Sequence, residues 1–270
     1  MTSIIATLFS LIAAAHTFDF SFTTPPSQCM NATVQWTGGT APYKLLLVPI
    51  GSLHPEIRTI ADYTIDAGDA VNNSFSFPLR YPGNSDFVAV MSDSTGFGAG
   101  GTTPAITVAF GGNTACLNTS QVAPAFFIYT SPSVPQECTP MTITYSIYAR
   151  PPVDVFLVIP GGVSSRIESG SPTNNSFVWT PALRAGTQLM IVAGDTSGAG
   201  KGGSTDILTV ATGNSTDCLV AQIASTTSTS TVGSMPCPTR TQSKAITALP
   251  LARCVVIFTF NTCCTDAKLH

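Results

Sequence analysis

Residues 93–101 read DSTGFGAGG, and residues 195–203 read DTSGAGKGG, so the same segment returns after 102 residues. The match extends without a gap over 72–117 and 174–219, where 18 of 46 positions are identical. A framework of apolar runs, turn residues and a cysteine repeats, whereas no set of acids, bases or nucleophiles repeats with it. The sequence therefore predicts one fold built twice.

The duplication divides the chain of 270 residues into two domains of about 100 residues each. We place repeat 1 at 18–117 and repeat 2 at 125–219. Residues 1–17 hold an apolar run followed by small residues, which is typical of a secretory signal peptide. Residues 220–270 begin with a stretch rich in Ser and Thr, which predicts a disordered stalk, and end in an atypical tail.

Strand-like alternation runs through both copies. Polar and apolar residues alternate at 33–37, for example, which is the period of a strand with one face on a core and the other in water. Clusters of Gly and Pro separate such segments every 8 to 12 residues or so, a spacing typical of a sandwich. We predict an all-β fold of two immunoglobulin-like or fibronectin-like β-sandwiches, each with about seven strands, followed by a disordered tail. Four runs are more continuously apolar and predict central strands: 44–48, 87–91, 153–159 and 189–192.

One cysteine precedes the first strong strand of each copy, and one follows the last. We expect disulfides between Cys29 and Cys116 and between Cys138 and Cys218, each worth roughly 4 kcal/mol by the chain-entropy estimate. Reduced thiols, or bonds between the two copies, are the alternatives. Disulfides of this kind place a protein outside the cytosol. The sequence assigns no role to the four cysteines beyond repeat 2, which are Cys237, Cys254, Cys263 and Cys264.

Five acceptor sequons for N-glycosylation agree with secretion. In each of them a Ser or Thr follows two residues after an Asn, and five such sites on a secreted chain predict a glycoprotein. The acceptors are Asn31, Asn72, Asn118, Asn174 and Asn214.

Charge and loop chemistry exclude nucleic acids and nucleotides as partners. Only 9% of the residues are charged and the formal net charge is -3, so the chain has no basic surface for a polyanion. The glycine strings match G-x-G-x-x-G, but a dinucleotide site needs a helix after the string, and 106–108 predicts a strand there. We expect flexible loops in which glycine supplies positive φ, and no cofactor. Asp93 and Asp195 are expected to accept hydrogen bonds from the amides of their own turns.

Candidate catalytic and metal-binding groups are few. Of the three histidines only His54 belongs to a domain, and it has no counterpart in the other copy; no nucleophile elbow or zinc spacing occurs. Asp62, Asp66 and Asp69 form an acidic group with oxygen ligands that calcium accepts. Their spacing does not match the known calcium loop and favours a solvated acidic loop.

Aromatic residues occupy equivalent positions in the two copies, Trp36 with Tyr145 and Phe77 with Trp179. Such equivalence predicts packing between sheets, while any exposed aromatic residues are available to contact glycans or proteins.

At 33–36, 174–181 and 195–198 the chain resembles fungal secreted surface proteins with tandem immunoglobulin-like domains and a Ser/Thr-rich stalk. More distantly, it is similar to the Ser/Thr-rich, lipid-anchored family associated with yeast cell-wall synthesis. The resemblance covers 18–219 and carries over no catalytic residue. The tail departs from the pattern, which often includes a membrane or lipid anchor at this end.

We expect a secreted or cell-wall-associated glycoprotein with a structural, adhesive or binding role and no catalytic activity. Cell-wall polysaccharide or surface proteins are the expected partners. One alternative is an extracellular carbohydrate-active enzyme or accessory module that uses the Asp62–Asp69 group or the glycine loops. Another is a membrane-anchored surface sensor.

Overall fold

The computed structural model describes residues 18–51, 59–68, 70, 72–117, 123–170 and 175–219, which all belong to one compact unit. The predicted signal peptide at 1–17 and the predicted stalk and tail at 220–270 lie outside the described residues.

The described chain is nearly all β, as predicted, with a single helical turn at 217–219. The strands of repeat 1 are β1 (Asp19–Phe22), β2 (Asn31–Thr37), β3 (Tyr43–Ile50), β4 (Ala61–Ile65), β5 (Ser74–Pro78), β6 (Asp86–Ser92) and β7 (Ile106–Thr107). Those of repeat 2 are β8 (Ile128–Ser131), β9 (Met141–Tyr145), β10 (Val153–Val158), β11 (Ser165–Gly170), β12 (Ser176–Trp179), β13 (Gln188–Gly194) and β14 (Leu208–Thr209).

Each repeat consists of two antiparallel sheets. In repeat 1 the strand orders are β1-β2-β5 and β4-β3-β6-β7, and repeat 2 has the equivalent orders β8-β9-β12 and β11-β10-β13-β14. In constant-type immunoglobulin domains the fourth strand joins the sheet of the first, second and fifth strands. Here the fourth strand of each repeat pairs with the third instead. The two copies therefore share one topology, strand for strand.

Each sandwich has its own core, formed by the inward positions of its strands. Along β2, for example, Val34 and Trp36 are buried while their neighbours are exposed or half-buried. The aromatic residues predicted to lie between the sheets do so. Phe77 and Tyr145 are buried like Trp36, and Trp179 is half-buried against the core of repeat 2.

One disulfide closes each sandwich. The structure joins Cys29 to Cys116 and Cys138 to Cys218, with Cα atoms 5.4 and 5.5 Å apart, which is the pairing that the sequence predicts. The bonds span 87 and 80 residues, and closing loops of this length stabilises a fold by roughly 4 kcal/mol each. Bonds of this kind are typical of proteins that work outside the cytosol.

The two sandwiches share a third apolar core. Outward-facing residues of β3 and β6 pack against outward-facing residues of β10 and β13, and none is more than 7% exposed to solvent. Both faces of these four strands are therefore buried, which explains why their sequences are continuously apolar rather than alternating. The sequence predicted central strands here, but it did not show that the second covering surface is the other repeat. The shared core contains Leu46, Val48, Val88, Val90, Phe156, Val158, Met190 and Val192.

A buried polar residue next to each disulfide differs between the repeats. The Oε1 of Gln28 accepts a backbone amide at 2.7 Å, and its Nε2 donates to the carbonyls of Gly111 and Asn113 at 3.2 and 2.8 Å. The equivalent Glu137 is equally buried and accepts the amide of Ala185 at 2.6 Å. A carboxylate has no hydrogen to donate, so Glu137 cannot make bonds equivalent to those from Nε2 of Gln28 to the two backbone carbonyls.

We expect Glu137→Gln to raise the free energy of unfolding by about 1 kcal/mol, because its new amide group donates to carbonyls equivalent to those of Gly111 and Asn113. The reciprocal change, Gln28→Glu, should lower the free energy of unfolding by at least as much. Urea unfolding at pH 7 measures both variants, and effects of the same sign would contradict this account.

We expect Val88→Asp to lower the free energy of unfolding by more than about 3 kcal/mol, because it buries a charge without a partner in the shared core. Val163→Asp is the matched control, since Val163 is 82% exposed. Denaturant unfolding should show a single transition for both repeats in the parent chain. A loss confined to a separate transition of repeat 1 would show that the repeats do not depend on each other.

Candidate functional site

The glycine loops, defined here as 93–103 and 195–205, connect β6 to β7 and β13 to β14. Gly98 and Gly200 adopt φ values of 74° and 77°, as the sequence predicted for glycines in these loops. This left-handed conformation strains any residue that carries a Cβ atom.

The glycine loop of repeat 1 packs against repeat 2. A Cβ atom on Gly98 would lie 2.5 Å from the carbonyl oxygen of Ser164, so only glycine allows this approach. The hydroxyl of Thr102 bonds that of Ser164 at 2.7 Å. The ring of Phe97 stacks on Phe156, with centroids 4.3 Å apart. This loop is therefore packed against the other repeat and does not only connect two strands.

The glycine loop of repeat 2 makes the reciprocal contact with repeat 1. A Cβ atom on Gly200 would overlap Ile60, which directly precedes β4. The amide of Ala199 donates to Oδ2 of Asp62 at 3.1 Å. Each loop thus reaches across the shared core to the edge of the other sandwich.

Asp93 and Asp195 fix the beginning of the glycine loops. Oδ1 of Asp93 accepts the amide of Thr95, and Oδ2 accepts the amide of Thr40 in the β2–β3 loop, both at 2.8 Å. Asp195 makes equivalent bonds, one of them to the amide of Arg150 at 2.9 Å. Burial by itself raises the pKa of each carboxyl, but the hydroxyl and amide donors outweigh it and the pKa lies below its ordinary value. The sequence predicted the bonds within the turn and missed those to the neighbouring loop.

A pocket of about 310 Å³ opens between the repeats, beside the shared core. Its apolar lining comes from Leu46, Phe97, Phe156 and Ala199. Residues 94–96 and Ser92 also line the pocket, and so do three acidic and two basic side chains, which offer both hydrogen-bond acceptors and donors. They are Asp62, Asp93, Asp154, Lys44 and Arg166.

Equivalent positions of the two repeats carry opposite charges in the pocket. By sheet register, Lys44 and Asp62 of repeat 1 are equivalent to Asp154 and Arg166 of repeat 2. Arg166 lies 3.5 Å from Asp154, but both side chains are partly exposed, so this pair contributes at most about 1 kcal/mol. The two halves of the pocket are therefore equivalent in position and opposite in charge.

Asp62 is the residue of the predicted acidic group that reaches the pocket. Its side chain remains exposed as a whole, while repeat 2 partly encloses the carboxyl, and this desolvation raises its pKa. The amide of Ala199 and the charges of Lys44 and Lys201 act in the opposite direction and are outweighed.

Of the other predicted ligands and bases, the structure describes only Asp66. Asp66 directly follows β4 and does not line the pocket, while Asp69 and His54 lie outside the described residues. Among the residues that are described, no group of three or more His, Cys, Asp or Glu side chains is placed to hold a metal ion.

Three of the five predicted glycosylation acceptors lie in the described part of the chain. Asn31, Asn72 and Asn214 are all exposed, as an acceptor must be. Asn118 and Asn174 lie outside the described residues. Glycosylation itself stays a prediction.

The outer face of the β8-β9-β12 sheet carries exposed apolar side chains. Phe127, Tyr129 and Val178 are 46%, 60% and 67% exposed. Between them on β9 lie the hydroxyls of Thr142 and Thr144, which pair with Val178 and Tyr129 in the sheet register. We call these five residues the aromatic face.

The equivalent face of repeat 1 is polar. Asp19, Ser21 and Ser76 take the places of the three apolar residues of the aromatic face. The sequence did not show this difference, because 126–129 is apolar throughout and only the sheet register reveals which side chains face outward. Two further exposed apolar residues, Ile147 and Tyr148, lie in the loop that follows β9.

No protein-family model and no curated protein matches the chain. Among the described residues, no helix is both long enough and apolar enough to cross a bilayer.

We expect Asp93→Asn to lower the free energy of unfolding at pH 7 by roughly 1 kcal/mol, because a neutral amide oxygen accepts the turn and loop amides less strongly than a carboxylate does. A carboxyl whose folded-state pKa is lowered contributes stability above its unfolded pKa, near 3.9, and loses that contribution as the pH falls through the folded value. The gap between the parent chain and the variant should therefore narrow between pH 5 and about pH 2.

Urea unfolding across this pH range measures the gap. Asp217→Asn is the matched control: this exposed carboxylate lies in the helical turn after β14, and the change should have little effect. A gap between the parent chain and Asp93→Asn that stays constant with pH would contradict the assignment.

Proposed function

We propose that the protein is an extracellular, glycosylated binding protein without catalytic activity, which attaches to uncharged cell-wall polysaccharide through the aromatic face of repeat 2. The observation that carries this proposal is the difference between equivalent faces. Repeat 2 exposes Phe127, Tyr129 and Val178 where repeat 1 exposes polar side chains. Exposed apolar side chains that are grouped on one sheet mark a contact surface.

The chemistry of the aromatic face fits a sugar polymer. Aromatic rings pack against the apolar faces of sugar rings, and the hydroxyls of Thr142 and Thr144 lie where they can bond to sugar hydroxyls. Strands β8, β9 and β12 contain no charged residue, so no ionic group on them favours a charged ligand. A surface protein is the other partner that such a face accommodates, and the experiment below distinguishes the two.

The extracellular setting is supported by the two disulfides and by the exposure of three glycosylation acceptors. A binding role is supported because the polar groups that both repeats share have a structural role. Asp93, Asp195 and the glycine loops, which recur in both copies, hold loops and repeats together.

The carbohydrate-active enzyme is a second candidate, favoured by the carboxylates of Asp62 and Asp154 in the pocket. Hydrolysis of a glycosidic bond uses two such groups on opposite sides of the bond. Release of reducing ends from wall polysaccharide by the parent chain, abolished by Asp62→Asn, would support this candidate over the first.

We expect the double variant Phe127→Ala/Tyr129→Ala to lower retention on insoluble wall polysaccharide by at least tenfold, because it removes both stacking rings. Both residues are well exposed, so unfolding by urea should change little. The matched control is Ser21→Ala/Gln35→Ala on the equivalent face of repeat 1. Retention of the parent chain by wall protein alone, or equal retention of all three chains on polysaccharide, would contradict the proposal.

A further inference from the structure

The pocket between the repeats lies where an aromatic ring is missing from an otherwise repeated arrangement. On one side, Phe97 of the first glycine loop stacks on Phe156 of β10. The equivalent residues on the other side are Ala199 and Leu46, which also pack on the shared core. Ala199 and Leu46 fill less volume than the two phenyl rings on the first side. The pocket of about 310 Å³ is lined by both pairs.

The polar lining of the pocket combines acceptors and donors. Asp62 and Asp154 present carboxylate oxygens, and Lys44 and Arg166 present N–H groups. With Asp93 included, acids outnumber bases by three to two, which disfavours an anionic ligand. The phenyl rings of Phe97 and Phe156 provide an apolar surface next to these groups.

We propose that this pocket binds one or two units of an uncharged saccharide. Sugar hydroxyls both donate and accept hydrogen bonds, so they match a lining that mixes carboxylates with basic groups, and the C–H face of the sugar packs on a phenyl ring. The volume is at the lower end of the range of about 300 to 1,000 Å³ for small-molecule sites, which suits a chain end or a branch rather than a long polymer. The choice of ligand class rests on the proposed function, whereas the site itself is distinct from the aromatic face.

Ala199→Phe tests the inference because it adds to repeat 2 the ring that Phe97 provides in repeat 1. The new ring should fill the pocket while unfolding by urea stays at least as difficult as in the parent chain. Ala199→Ser is the matched control, since it preserves the volume. Asp62→Asn is a second variant that removes a carboxylate acceptor and leaves the pocket open.

The probes are cellotriose, laminaritriose, mannotriose and chitotriose, with inorganic phosphate as the anionic probe, each titrated into the isotope-labelled full chain and followed by backbone amide shifts. We expect at least one trisaccharide to shift the amides of residues 62, 97 and 199. Ala199→Phe should weaken that affinity by at least tenfold, and Ala199→Ser by less than about twofold. Absence of binding by every trisaccharide, unchanged affinity in Ala199→Phe, or binding of phosphate alone would overturn the inference.

The two proposals fail separately. If insoluble polysaccharide retains the parent chain through the aromatic face but no trisaccharide binds, the pocket inference is wrong and the proposed function stands. If a trisaccharide binds in the pocket while Phe127→Ala/Tyr129→Ala is retained like the parent chain, the attachment surface is wrong and the pocket stands.

Discussion

The packing of one sheet of each repeat against the other is the constraint on which the rest of the structure depends. It buries both faces of the central residues of β3, β6, β10 and β13, so these stretches have no polar side. It also brings the glycine loops against the opposite sandwich, where Gly98 and Gly200 leave no room for a Cβ atom. Charged side chains are excluded from this core and collect at its rim, where they line the pocket. Loops, pocket and charge pattern all follow from one buried interface.

The two repeats differ at positions where the shared fold does not require the same residue. Both repeats keep the aspartate that ties their loops, because the same turn has to be held twice. By contrast, Phe97 is replaced by Ala199, and the polar outer face of repeat 1 becomes the aromatic face of repeat 2. A residue that differs between equivalent positions of the two repeats is therefore not required by the fold that they share. The two proposed binding surfaces lie at such positions.

The sequence predicted the features that local patterns determine. Alternation and turn residues gave the all-β class, and the placement of Cys29 and Cys116 around the strands gave the disulfide. The shared core was not predicted, because a continuously apolar strand does not say which surface covers its second face. Phe126 and Phe127 show the same limit: they are adjacent and both apolar, yet one is fully buried and the other is 46% exposed. Only the pairing of β8 with β9 decides between them.

The position of the disulfides has a mechanical consequence. Each bond joins a cysteine that follows the first strand of a sandwich to one that follows its last strand. The two bonds span 87 and 80 residues. When a tethered chain is pulled at its ends, tension therefore passes through the sulfur atoms and bypasses most strands. Without the first bond, a ruptured sandwich would lengthen by up to about 300 Å, at roughly 3.5 Å per residue. With it, the strands between the two cysteines carry almost no load and keep their packing under force.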